Sequence, residues 1–155
     1  MSVSLTSLAK QVTFLEEKVE KLQALLPEQP KPSRFVDNND GTVTDKETNL
    51  VWMKQDDGKR RSWKEAMEYC DKNEAKLPGA GWRLPTVKEL ISLIDYERYN
   101  PSIDPVFTDT KSASYWSSTP HAGNPGDAWV VGFFIGNEYW NKSYGYFVRP
   151  VRQNS

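Results

Sequence analysis

Apolar residues recur at alternating steps of three and four along the first 26 residues of this chain. We call this stripe the seam; it consists of Leu5, Leu8, Val12, Leu15, Val19, Leu22 and Leu26. A period of 3.5 residues keeps one narrow helix face turned toward a partner helix, which is typical of coiled coils. Residues 1–26 are therefore predicted to be a coiled-coil oligomerisation helix, a rod of about 33 Å at 1.5 Å per residue.

A proline-containing spacer follows the seam. Pro27 ends the helical pattern because proline lacks the N–H that the next turn needs. Pro30 and Pro32 make residues 27–33 a stiff, extended linker, which disfavours the alternative of a lone amphipathic helix folded back on its own domain. Valine at the inner a positions with leucine at d favours two strands, whereas leucine at the outer a positions weakens that preference. The heptads leave dimer and trimer open.

Composition excludes several classes of protein. The chain has 20 basic and 21 acidic residues, which argues against a general nucleic-acid binder but leaves room for a local basic patch. Its single cysteine, Cys70, excludes an intrachain disulfide and a cysteine-based zinc site. No apolar run approaches the ~18 residues of a membrane span, and the first 26 residues lack the pattern of a signal peptide.

Residues 34–155 are predicted to form one α+β domain. Asp40-Gly41 favours a tight turn between antiparallel strands in the region from Arg34 to Trp52. The turn superficially resembles a calcium loop, but Val36 would then occupy the place of the first carboxylate ligand, so a plain hairpin is favoured.

Two helices are predicted next, and each opens with a capping box. Ser62 with Glu65 begins the first helix, which places Cys70 on its apolar face, and Thr86 with Glu89 begins the second. Four strand-like runs separated by Gly, Asn and Pro then predict an antiparallel sheet. These runs are residues 115–118, 128–134, 138–140 and 146–152.

Residues 34–155, which we call the head, resemble the Lcl C-terminal domain family. That family is named for the C-terminal domain of the Legionella collagen-like protein. Residues 35–38, 40–45 and 50–52 resemble the opening of the family pattern. The residues that resemble its middle signature are Trp63 and Ala66, then Trp82-Arg83-Leu84-Pro85-Thr86, with Glu89-Leu90 and Leu93. Residues 115–118 and 148–152 resemble its end, so that the resemblance spans about residues 34–152.

The resemblance implies a C-type-lectin-like fold with two helices, an antiparallel sheet and long loops. It also implies an extracellular adhesin that recognises sulfated glycosaminoglycans, and heads of this kind are often trimers. Related domains are found on bacterial surface fibres and in phage receptor-binding proteins. Arg83, Arg149 and Arg152 belong to the shared pattern and are expected to be structural partners in ion pairs or hydrogen bonds.

We expect neither a cofactor nor a calcium-dependent sugar site. Trp140-Asn141-Lys142 places an ammonium where a calcium-binding lectin would need a carboxylate. Catalysis is not expected either, because the single histidine, His121, is predicted to lie in a Pro/Gly-rich loop without a cue for a paired nucleophile. Cys70 is expected to be a small buried apolar side chain.

The candidate anion-binding residues are basic and lie in predicted loops. They are Lys59, Arg60, Arg61, Lys111 and Lys142. Arginine and lysine form charge-assisted hydrogen bonds with sulfate and carboxylate groups. Asp56 and Asp57 lie beside the first three and could neutralise part of their charge, so a merely solvated loop is the alternative.

A second candidate surface is aromatic. Tyr139, Trp140 and Tyr144 are interleaved with small polar residues, as in adaptable recognition surfaces, although alternate positions could instead fill the core. The first hypothesis is an extracellular, non-enzymatic, homotrimeric adhesin head that binds a sulfated glycosaminoglycan or another host-surface polyanion through basic loops. The alternatives are a protein-recognition head of a phage or bacterial surface fibre, or a structural trimerising cap.

Overall fold

The computed structural model describes residues 4–28, 31–140 and 144–155, without the side chains of Tyr139 and Trp140. The chain divides into two compact units, Met1–Pro32 and Ser33–Ser155. Among the described residues, the first unit contains one helix, and the second contains seven strands and two short helices.

Helix α1 spans Leu5–Leu25, and the hydroxyl of Ser4 caps it by accepting a 3.2 Å hydrogen bond from the Ser7 amide. This confirms a helix within the predicted range. Every described residue of α1 is exposed in the single chain, and the exposed fraction of the seam side chains runs from 44 % at Leu8 to 85 % at Leu5. No helix in the described ranges is both long and apolar enough to cross a bilayer.

The second unit begins with a four-stranded antiparallel sheet, in the order β1, β2, β3, β7. Its strands are β1 Phe35–Asp37, β2 Thr42–Asp45, β3 Leu50–Met53 and β7 Val151–Gln153. The β1–β2 turn takes positive φ at Asn39 (57°) and Gly41 (88°), so the plain hairpin is confirmed. All four residues of β3 are buried, which makes it the covered central strand of the sheet.

Both predicted helices form, and both capping boxes are present. Helix α2 spans Trp63–Asp71 and buries a face that includes Ala66 and Cys70, which confirms the buried position of that cysteine. Helix α3 is only Val87–Ile91, with Leu90 fully buried. The chain leaves α3 through hydrogen bonds between residues three apart, from the amides of Leu93 and Ile94, which tighten its end.

The single antiparallel sheet expected from the sequence is instead two sheets. The second is antiparallel, in the order β4 Ser114–His121, β5 Asn124–Gly132, β6 Asn137–Trp140. The prediction that His121 lies in a loop is therefore wrong, since it is the last residue of β4, where its ring lies 5.3 Å from that of Trp129.

The predicted strand at residues 146–152 is also broken. Tyr146 and Phe147 make only isolated bridges, with Arg61 and Tyr115, and regular pairing resumes in β7 within the first sheet. Proline explains the interruption, because Pro150 has no N–H to donate to a ladder. The carbonyl of Pro150 accepts the Met53 amide instead, at 3.0 Å.

Two apolar clusters hold the head together. The larger joins the first sheet and α3 to the second sheet, with Trp52, Leu90 and Phe133 fully buried within it. The smaller packs α2 against the second sheet around Trp116 and Val130. The head is thus a mixed α/β domain with antiparallel sheets and few helices.

Candidate functional site

Residues 54–61, which connect β3 to α2 and which we call the basic loop, are anchored at their start by Arg149. This guanidinium is fully buried and donates to the carbonyls of Met53 at 2.6 Å and Lys54 at 2.8 Å. It also donates to the Thr110 hydroxyl at 2.7 Å. The expected structural role of Arg149 is confirmed, because its donors hold the backbone of the loop.

A buried carboxylate holds the middle of the basic loop. Asp56 accepts the Gly58 amide at 2.8 Å and a short hydrogen bond from the Tyr115 hydroxyl. Burial, together with the nearby Asp56 charge, raises the pKa of Tyr115, so the phenol keeps the proton that it donates. The Arg149 guanidinium lies 3.8 Å from the same carboxylate and balances its charge.

The end of the basic loop is fixed by backbone hydrogen bonds. Arg61 and Tyr146 exchange two of them, at 2.9 and 3.0 Å, and the Arg61 carbonyl also accepts the Trp116 indole N–H at 2.7 Å. With both ends and the middle held, the tip at Lys59 and Arg60 stands exposed on a preorganised backbone.

Arg61 differs from its basic neighbours because its guanidinium is already paired. It donates two hydrogen bonds to Asp57, at 3.0 and 2.6 Å, and lies 3.7 Å from the centre of the Tyr69 ring. Burial acts to raise the pKa of Asp57, but the hydrogen bonds from Arg61 and from the Lys59 amide outweigh it and lower that pKa. To bind an external anion, the Arg61 guanidinium must first break its hydrogen bonds to the ionised Asp57 carboxylate.

Three cations of the sequence prediction come together at the loop tip: Lys59, Arg60 and Lys111, here called the cationic patch. The Lys111 side chain lies against Gly58, since a Cβ added at Gly58 would be 3.5 Å from Lys111 Cε. All three residues are exposed, and within the residues that the structure describes none of them has an ion-pair partner. The sequence analysis predicted that Lys111 would add to the anion-binding surface, but no spacing indicated that it would lie beside Gly58.

The predicted aromatic surface lies partly beside the cationic patch. Tyr144 is 65 % exposed, and the next residue, Gly145, packs so closely that an added Cβ would stand 3.2 Å from Arg60 Cβ. The backbones of Tyr139 and Trp140 pair with β5, but their side chains are outside the described part of the chain. Lys142 also lies outside the described residues.

A further surface was missed by sequence reasoning. We call it the apolar patch: its large exposed side chains are Tyr96, Tyr99, Phe134 and Ile135, 52–78 % exposed. The Asn100 amide donates to the Phe134 carbonyl at 2.9 Å, which joins the two segments. Tyr96, Tyr99 and Ile135 lie in stretches of the sequence without a helix or strand pattern, whereas Phe134 ends the predicted strand at residues 128–134.

Groups suited to chemistry are few. Burial raises the pKa of the Cys70 thiol to about 12, so it stays protonated near neutral pH. In the described ranges, no three His, Cys, Asp or Glu residues cluster in a way that suits a metal ion.

Comparison with known proteins adds the family. The family model of the Lcl C-terminal domain matches residues 41–152. The chain belongs to the Lcl C-terminal domain family. The matched range contains the basic loop, both short helices and the whole second sheet. Family membership suggests a surface-associated binding domain. No curated protein and no solved structure matches the chain.

Proposed function

We propose that this chain is an extracellular, non-enzymatic adhesin head that binds sulfated glycosaminoglycans or a similar host-surface polyanion without calcium. The observation that carries the proposal is the cationic patch. Lys59 and Arg60 stand exposed on a loop fixed by Arg149, Asp56 and Tyr146, with Lys111 beside them.

Preorganisation and charge both favour this ligand. A loop that is already ordered loses little conformational freedom when a ligand binds. Arginine offers a planar fork of donors to a sulfate, and lysine offers a compact charge. Because the whole chain carries a formal charge of only −1, attraction for a polyanion must come from such a local patch.

The proposal also requires that several heads be joined in one assembly. We attribute to the exposed seam a parallel homotrimeric coiled coil, which would present several heads on one rod. A tethered second site meets its ligand at an effective concentration near millimolar, so avidity rises by about 10²–10⁴-fold where the spacing fits. The two antiparallel sheets, two short helices and long connections also support a C-type-lectin-like fold for each head.

Salt elution from immobilised heparin tests the cationic patch. The test variant K59A/R60A/K111A should elute at much lower salt than the unmodified chain, since exposed charge contacts are screened by salt. The matched control K46A/K72A/K88A removes three exposed lysines outside the patch and should elute close to the unmodified chain. If both variants elute at equally lowered salt, heparin binding depends on the net charge of the chain and not on the cationic patch. Of the two other predicted residues, Arg61 and Lys142, Lys142→Ala tests the second separately.

The apolar patch favours a second candidate function, recognition of a protein on a host surface. A contiguous group of exposed aromatic and aliphatic side chains is typical of interaction sites. Binding to whole cells would then persist at high salt, resist heparinase, and be lost after protease treatment of the cells and in Y99S/F134S. If neither surface supports binding while the chain is still trimeric, a structural trimerising cap becomes the better interpretation.

A further inference from the structure

A cavity of about 540 Å³ opens in the head beside the basic loop. Its walls come from the β1–β2 hairpin, from the chain after β3, and from α2 with the segment that follows it. The volume lies within the range of small-molecule sites, about 300–1,000 Å³. The proposed polyanion site does not use this space.

The charges that line the cavity are already balanced. Asp37 pairs with Lys54 at 2.7 Å, and Asp57 pairs with Arg61 at 2.6 Å. The third carboxylate of the wall, Asp56, is held by Tyr115 and Arg149. A cationic ligand would have to compete with lysine or arginine, and an anionic ligand would face three carboxylates. The lining therefore favours a neutral ligand.

The lining nevertheless offers fixed hydrogen-bonding groups. The Lys54 ammonium has three donors, and the Asp37 and Asp57 carboxylates have several lone pairs each, beyond those used in their pairs. Tyr69 is 4 % exposed, and among the described residues the Met53 sulfur, at 4.0 Å, is the hydrogen-bond partner of its hydroxyl. Since thioether sulfur is a weak acceptor, a ligand hydroxyl can replace it at little cost.

Apolar side chains complete the wall. Met53, Ala75 and Leu77 line the cavity. Gly41 lies against Leu77, since a Cβ added at Gly41 would be 3.9 Å from Leu77 Cδ2. A sugar ring has the matching chemistry, because its hydroxyls both donate and accept while its C–H faces are apolar. We infer that this cavity binds one neutral, polyhydroxylated unit, a sugar residue that is either free or part of a larger glycan.

Saturation-transfer NMR with neutral methyl glycosides tests the inference on the full chain. At least one glycoside is expected to give a signal with the unmodified chain. Ala75→Phe fills the cavity and should abolish that signal, whereas Ala80→Phe, at an exposed loop position outside the lining, should leave it intact. Tyr69→Phe removes one hydroxyl and should weaken binding by roughly 3- to 10-fold. The Tyr69 variant still decides the matter if Ala75→Phe fails to fold.

The same experiment is repeated with charged sugars and with a neutral oligosaccharide. Glucosamine and glucuronate should bind more weakly than the neutral glycoside, and a stronger signal from either would overturn the charge argument. Tighter binding of a neutral oligosaccharide than of the methyl glycoside would identify the glycan source, and equal binding the free sugar. No signal from any neutral sugar at about 10 mM, tenfold above a millimolar Kd, would refute the inference.

The outcome is separable from that of the polyanion proposal. Ala75→Phe should leave heparin retention unchanged, and K59A/R60A/K111A should leave the glycoside signal unchanged. Either site can therefore fail without the other.

Discussion

Arg61 and Asp57 form a two-bond ion pair inside the basic loop, with N–O distances of 3.0 and 2.6 Å. The pair places one of three consecutive basic residues against the protein's own carboxylate, while Lys59 and Arg60 are exposed and have no ion-pair partner among the described residues. Adjacent cations in the sequence are thus unequal in the fold, and the pair sets how much positive charge the loop offers to a ligand.

Asp57→Asn should therefore strengthen heparin binding. Asparagine can still accept the Lys59 amide, but it no longer neutralises Arg61, which becomes free to join the cationic patch. One further charge contact, partly screened, is worth about 0.5–1.5 kcal/mol, or roughly 2- to 13-fold in Kd. Loss of this pair, whose side chains are partly buried, should lower the free energy of unfolding by about 1 kcal/mol, because the remaining contact with solvent screens it. Heparin elution and urea denaturation measure the two effects.

Asp71→Asn is the control for that variant, because it changes the charge equally at an exposed position on α2. Its elution should stay near that of the unmodified chain. Unchanged or weaker retention of Asp57→Asn would show that Arg61 contributes nothing to polyanion binding even when its partner is removed.

Leu15→Asp should dissociate the proposed coiled coil. It places a carboxylate at the centre of the seam, where burial of an unpaired charge is costly. The unmodified chain should sediment at three times 17.8 kDa, and the variant at 17.8 kDa. Thr13→Asp, two residues away and off the seam, carries the same helix-disfavouring side chain and should stay assembled. A single-chain mass for the unmodified protein at micromolar concentration would refute the proposed avidity.

Acid should weaken the head through Asp45. Burial acts to raise the pKa of this carboxyl, but hydrogen bonds from Arg34, Thr48 and the Glu47 amide outweigh it and hold that pKa below its usual value. The unfolded chain then binds the proton more tightly than the folded one. The stabilising contribution is complete above the unfolded pKa of about 3.9 and is lost as pH falls through the lower folded pKa.

Asp45→Asn should flatten this dependence. At neutral pH it should lower the free energy of unfolding by about 2 kcal/mol, since it weakens charged hydrogen bonds at a buried site. Urea denaturation from pH 7 to pH 2 measures both effects, with Glu68→Gln, an exposed carboxylate on α2, as control. An acid dependence as steep as that of the unmodified chain would assign the loss to other groups.

Arg149→Met should be the most destabilising single change in the basic loop's support. It leaves the buried Asp56 carboxylate without its cation and removes the donors to the Met53 and Lys54 carbonyls. Breaking a buried pair in this way costs about 3–5 kcal/mol. Tyr115→Phe removes the hydrogen bond to Asp56 and the one accepted from the Lys111 amide but keeps the buried ion pair, so it should cost about 1–3 kcal/mol. Urea denaturation should rank the two variants in that order; the reverse order would contradict the anchoring role of Arg149.

Features set by local sequence were predictable. The two capping boxes form at Ser62 and Thr86, and the β1–β2 hairpin forms at Asp40-Gly41, because each depends on residues within a few positions of one another. Burial of Cys70 followed from the helical spacing of apolar residues on α2. The neutralising role suggested for Asp57 follows from its closeness in sequence to Arg61.

Features that join distant segments were not predictable in the same way. The approach of Lys111 to Gly58 and the apolar patch depend on how loops pack, as does the division of the strands into two sheets. The run at residues 146–152 shows the same limit. Its composition favours one strand, but the chain there makes isolated bridges to three different segments, at Arg61, Arg83 and Tyr115, and pairs with β3 only after the buried Arg149.

The amino-acid sequence by itself determined the seam, the proline break after it, the capped helices and the supply of basic residues in the head. Each of these features depends on residues a few positions apart, and over such short distances the backbone geometry of a helix or turn relates the sequence pattern directly to structure. Tertiary structure alone decided which cations remain exposed and which are paired. That outcome depends on Asp56, Tyr115 and Arg149, residues up to 93 positions apart, meeting in one buried cluster, since a buried charge is stable only where partners reach it.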